Sequence, residues 1–210
     1  MKSSRLAFAL LAACLVPDLA VAAPANLVAS KQDPALTLRI DPRLKGLRPL
    51  RFPIADVTNA ERRIFVAADR NRTIERMVIV QFEKVRPGSD FRFVYPSKPP
   101  RRFGAETYRF GTFAYDDAKA AAGDRVKEAG RTRAFLEKAG YRPAQLYRVA
   151  RLARVSDPKG LSEVIVFYVE NADARPPTGA QDEDGDWILG PEEAAALTAR
   201  MEAAVTVVKG

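Results

Sequence analysis

The chain has 210 residues, 47% apolar and 29% charged, a composition that places it among single-domain globular proteins and excludes an intrinsically disordered chain. Its formal net charge is +8, with one cysteine and no histidine. Without imidazole, every mechanism with a histidine base is excluded, Ser-His-Asp triads among them, and so is every His-ligated zinc site.

Lys2 and Arg5 form a positive opening segment, and Leu6 to Val16 is an apolar stretch too short to span a bilayer. Pro17 interrupts it, and Ala20-Val21-Ala22 supplies the small residues that a signal peptidase accepts. Residues 1–22 therefore read as a signal peptide, cleaved before Ala23. Leu11-Ala12-Ala13-Cys14 also resembles a bacterial lipobox, which implies lipidation of Cys14 as the alternative processing. Either route places the protein outside the cytoplasm, in the periplasm, secreted or lipid-anchored, with no transmembrane segment after residue 22.

Cleavage before Ala23 removes two positive charges and one negative, which leaves +7. It also removes the only cysteine, so neither a disulfide nor a thiolate site is expected in the mature chain. A basic surface in that compartment points to an anionic envelope component or an acidic partner protein, and not to nucleic acid.

Residues 23–60 read as an extended leader punctuated by Pro24, Pro34, Pro42, Pro49 and Pro53, with a short edge strand at Leu36 to Ile40. The domain proper is expected over residues 61–210. Ile64 to Ala67 reads as a strand, and Asp69 to Arg72 as a turn into Ile74 to Val85, the densest β-branched run of the first half and the expected central strand. Phe91, Phe93 and Tyr95 alternate, which predicts a partner strand with three rings on one face.

Tyr108 to Tyr115 is the next predicted strand. A helix follows at 118–122 and more firmly at Arg131 to Ala139, ended by Gly140 and Pro143. Tyr147 to Val155 and Leu161 to Val169 are predicted strands joined by an Asp157-Pro158-Lys159-Gly160 turn. Pro191 opens a last helix that is expected to reach Val207. The fold class implied is α+β: a single antiparallel sheet of about six strands, with a central-to-late helix and a C-terminal helix packed on one face.

Carboxylate chemistry survives the exclusions. Glu75, Glu83, Glu106 and Glu163 fall on predicted strands, and a hydrolase of the glycosidase kind needs only two such groups. No spacing in the sequence pairs any two of them.

Asp182 to Glu193 resembles the twelve-residue EF-hand calcium loop. The resemblance implies ligands at Asp182, Asp184 and Asp186, the carbonyl of Ile188, and Glu193 as the closing bidentate carboxylate. Trp187 stands at the sixth position, where that family has glycine, and no helix precedes the loop. Calcium is the one cofactor implied, with weak affinity.

Lys98, Arg101 and Arg102 lie in a proline-rich loop beside Tyr95, Phe103 and Tyr108, an arrangement suited to an anion. The overall pattern is similar to small exported bacterial proteins and to no family of known activity.

Three readings follow. The first is an exported, non-catalytic binding or interaction protein of the envelope or periplasm. The second is a calcium-binding module. The third is a carboxylate hydrolase. A cavity holding two buried acids would favour the third, and carboxylate oxygens converging in the acidic loop would favour the second.

Overall fold

A computed structural model describes residues 26–30, 36–95, 100–123 and 127–209. The expected signal peptide, Cys14 and Lys98 lie outside the described residues. No helix among the described residues is long and apolar enough to cross a membrane.

The chain enters through β1 (Asn26–Ala29), β2 (Thr37–Ile40), β3 (Lys45–Gly46) and β4 (Leu50–Ile54). Two long strands follow, β5 (Thr58–Ala68) and β6 (Ile74–Val85), then β7 (Pro100–Phe103) and β8 (Glu106–Asp116). Helices α1 (Asp117–Gly123) and α2 (Glu128–Lys138) precede β9 (Leu146–Val155) and β10 (Ser162–Asn171). The chain closes through β11 (Trp187–Ile188), α3 (Pro191–Ala204) and β12 (Val205–Lys209).

This architecture corrects the α+β expectation of one six-stranded sheet. The protein is mostly β: the described residues form twelve strands in two antiparallel sheets, with three short helices. Nine strands form the large sheet, in the order β11-β8-β9-β10-β6-β5-β3, with β4 added on β5 and β7 on β8. The small sheet is β1-β2-β12.

Two segments account for the difference. Residues 36–40 alternate, so Leu36, Leu38 and Ile40 all point into the core and are fully buried. Proline does not prevent pairing here, because Pro53 sits on the edge strand β4 opposite Asn59. At the other end, the helix stops at Ala204, three residues before its expected limit. The run Val205-Thr206-Val207-Val208 is β-branched, and it finds β2 to pair with.

The middle of the large sheet is β10, bonded to β9 on one side and β6 on the other. Phe91 to Tyr95 is not a strand. It crosses as an irregular segment, tied by the Phe93 amide to the Gly160 carbonyl at 2.9 Å. Arg86-Pro87-Gly88 carries the chain away from the sheet, so β6 takes β10 as its second neighbour instead.

The helices divide between the two faces of the large sheet. On one face Val78, Val80, Phe82, Val164, Val166 and Leu152 form a core with the small sheet and with Leu197 and Met201 of α3. Each such side chain, fully buried, stabilises by about 1.5–3 kcal/mol before entropy is counted. On the other face Ile64, Val66, Met77, Ile79, Val149 and Val169 pack under Phe135 and Leu136 of α2. That cover extends over only part of the face, and the remainder forms the floor of a cavity.

Candidate functional site

Side chains alternate along a strand, so β6 presents Met77, Ile79, Gln81 and Glu83 to the α2 side in that order. The face is apolar beneath the helix and polar beyond it. On β10 the matching series is Val169, Phe167, Ile165 and Glu163. The antiparallel register sets Glu83 directly opposite Glu163, and each is only 5% exposed.

Their surroundings are specific. Glu83 accepts from Thr58 Oγ1 at 3.1 Å and from the side-chain amide of Gln81. Glu163 accepts from the Tyr95 hydroxyl. The two side chains leave adjacent strands at the same rung and are each other's nearest carboxyl neighbours along the ladder. Burial is the main force on both and raises both pKa values, Glu163 to about 7. Two buried carboxylates opposed at one rung cannot both ionise cheaply, so the pair holds one proton near neutrality. Glu83 has two donors from its own neighbourhood and is the better place for the negative charge.

A buried arginine holds this network in place. Arg62 of β5 lies opposite Gln81 in the register and donates to its side-chain oxygen. It also donates to Thr132 and to the carboxylate of Glu128, and to the Glu128 carbonyl at 3.2 Å. Its guanidinium stacks on Phe52 at 5.2 Å and Phe167 at 5.9 Å. Gln81 donates to both Glu83 and Glu128, so α2 is tied to the glutamate pair through one amide.

Above the pair lies a cavity of about 700 Å³. Its walls are aromatic: Phe91, Phe93 and Tyr95 from the crossing segment, Phe113 of β8, Phe167 of β10 and Trp187 of β11. A second cavity of about 460 Å³ adjoins it beneath α2 and shares Phe113, Phe167, Glu128, Asp184 and Asp186. The volumes are those of small-molecule sites. Val94 and Ile188, both exposed, stand beside this cavity.

Comparison with protein-family models, with curated proteins and with solved structures finds no significant match to this chain. Its functional reading therefore rests on its own geometry.

Of the four carboxylates singled out by strand position, Glu83 and Glu163 are brought together. Glu75 is exposed near the start of β6, and Glu106 pairs with Arg154 at 3.5 Å. Cross-strand register decides which two meet, and residues eighty positions apart carry no local signal of it. Arg62, Gln81, Glu128 and Tyr95 join the network unannounced. A polar-charged alternation at the end of an otherwise apolar strand, as in Gln81 and Glu83, is the signal that marks them.

The acidic loop folds as a tight turn. Asp182 Oδ1 accepts from the amides of Asp184 and Asp186 at 3.0 Å each, and Gly185 supplies the left-handed residue at φ +84°. Trp187 is extended in β11 opposite Ala114. Glu193 pairs with Arg148 instead of turning toward the aspartates. Crowding by Asp182 and Asp184 adds to burial in raising the pKa of Asp186. Among the described residues no group of three or more acid, imidazole or thiol side chains is arranged to hold a metal. Asp182, Asp184, Asp186 and Ile188 instead line the cavity.

Of the basic residues, Arg101 pairs with Glu202 at 2.6 Å and stacks on Phe110 at 5.0 Å. Arg102 follows it on β7, exposed and on the opposite face of the strand.

Proposed function

We propose that the chain is an exported, non-catalytic binding protein of the envelope or periplasm, whose ligand is a small organic molecule taken into the cavity over β6 and β10. One observation carries this reading: two opposed glutamates are buried at the floor of an aromatic-walled cavity. Like charges directly opposite on a sheet are destabilising, and two apolar residues would pack better there. A ligand-binding role explains both their retention and the open space above them.

The test uses Nile red, a neutral apolar dye that brightens on leaving water. Gly111 lies on the cavity wall, and a Cβ added there meets nothing within 4 Å. Gly111→Phe therefore fills the cavity with a side chain that the strand accommodates. Wild type should brighten the dye, and Gly111→Phe, with its melting temperature retained, should not. Equal brightening in both contradicts the reading.

A hydrolase is the second reading, favoured by the juxtaposition of Glu83 and Glu163 at one rung of the ladder. That pairing supplies a carboxylate base beside a protonated acid, and the chemistry would be activation of water by a proton-sharing pair. Turnover of a fluorogenic ester or amide that Glu83→Gln abolishes would establish it.

A further inference from the structure

The cavity differs in sign from the rest of the molecule. The chain as a whole is basic, at +8. The cavity is lined by six carboxyl groups, those of Glu83, Glu128, Glu163, Asp182, Asp184 and Asp186, against two guanidinium groups, Arg92 and Arg151, and Glu128 is itself ion-paired with Arg62. Arg92 is committed to its own loop, where Nη1 donates to the Phe91 carbonyl at 2.6 Å and the Ser89 carbonyl at 3.3 Å. Arg151 of β9 stacks on Phe167 at 5.9 Å and partly offsets the charge. Electron-rich ring faces add to the attraction for a cation.

We infer that the ligand is an organic monocation, an amine with an apolar body, and that its ammonium group takes the place of the proton held between Glu83 and Glu163. The inference rests on reading the cavity as a ligand site. The exchange is balanced: one ammonium enters, one proton leaves the pair for bulk water, and the net charge of the site is unchanged. The ammonium offers N–H donors where a single shared proton had been, and the apolar body lies on the rings.

The groups facing the pair come from every surrounding element. Thr58 stands on β5 and Gln81 on β6, both as donors to Glu83. Tyr95 of the crossing segment donates to Glu163, and its own pKa is raised by burial and by that carboxylate. Arg151 of β9 favours the ionised form of Glu163 and Arg62 of β5 that of Glu83, whereas Glu128 of α2 acts against the charge on Glu83. Asp182, Asp184 and Asp186 border the same space from the acidic loop. Proton release should therefore be fractional at neutral pH and fall away above it as the pair ionises on its own, while affinity for the still-charged amine rises.

Trp187, the only tryptophan, lines the cavity and reports occupancy directly. Wild type is titrated at neutral pH with 2-phenylethylamine, with its neutral counterpart 2-phenylethanol, and with 3-phenylpropionate. Proton release is measured calorimetrically in two buffers of different ionisation enthalpy. The amine should bind about tenfold or more tighter than the alcohol, release a fraction of a proton, and exceed the carboxylate by a wider margin. In Glu163→Gln the release should vanish and the preference for the amine should shrink by about tenfold. If that variant does not fold, Glu83→Gln carries the same test. Equal affinity for amine and alcohol, or amine binding without proton release, overturns the inference. Proton release with calcium chloride but not with the amine would assign the cation to a metal and also overturn it. Alcohol or Nile red binding without amine preference sinks the ligand class alone, whereas failure of all of them sinks the cavity reading.

Discussion

Glu83 and Glu163 face each other across the β6–β10 ladder, each buried and together flanked by Thr58, Gln81 and Tyr95. Two neighbouring strands have thus placed like charges at one rung and arranged donors around them.

This rung should make stability depend on pH in a definite direction. The folded-state pKa of Glu163 is raised to about 7 from the ordinary glutamate value of 4.5, so the folded protein binds the proton more tightly than the unfolded chain does. The associated stability is fully present below the unfolded value and is lost as pH rises through about 7. Wild type should therefore lose on the order of 2 kcal/mol relative to Glu163→Gln between about pH 5 and pH 8, after allowance for residual solvent screening. Urea denaturation at the two pH values checks this, and parallel slopes for both proteins would reject it.

Arg62 clamps α2 to the sheet through Gln81, Thr132 and Glu128. Arg62→Ala should cost about 3 kcal/mol or more, because it leaves the buried amide of Gln81 without its donor and removes packing on Phe52 and Phe167. Arg62→Met, which keeps the bulk, should cost less. Hydrogen exchange should accelerate first in α2.

Arg72 adopts a left-handed backbone at φ +66° and reaches the end of α2. Its guanidinium donates to the carbonyls of Ala139 at 2.9 Å and Gly140 at 3.0 Å and stacks on Tyr141 at 4.1 Å. It satisfies carbonyls that the helix end leaves open. Arg72→Ala should destabilise by about 1–2 kcal/mol, and Arg72→Gly by less, since glycine relieves left-handed strain of about 1 kcal/mol. Thermal melts of the two variants rank them.

Tyr108 is fully buried, edge-on to Phe103 at 5.9 Å, and its hydroxyl has no hydrogen-bond partner among the described residues. Burial raises its pKa to about 12. A buried, unsatisfied hydroxyl costs about 1 kcal/mol or more, so Tyr108→Phe should leave stability unchanged or raise it by about 1 kcal/mol. A clear loss of stability would show that the hydroxyl is satisfied in solution.

Local pattern made some of this legible in advance. The β-branched run Ile74 to Val85 is β6 with those bounds, and the Asp157-Pro158-Lys159-Gly160 turn joins β9 to β10 with Gly160 at φ +69°. Gly140, at φ +81°, ends α2 as its position suggests. The fold class was not legible. Its extra sheet joins β2 to β12, more than 160 positions later in the chain, and such pairing leaves no mark on either segment alone. The candidate site was half legible: both glutamates stand out as strand carboxylates, but only the register shows that they meet.

The most direct measurement is a carbon-13 NMR titration of the glutamate carboxyl groups in wild type and in Glu163→Gln. Glu83 and Glu163 should titrate together, with one step near 7 that Glu163→Gln abolishes. Two independent titrations in the ordinary glutamate range of about 4.3 would show that the pair shares no proton, and would contradict the account.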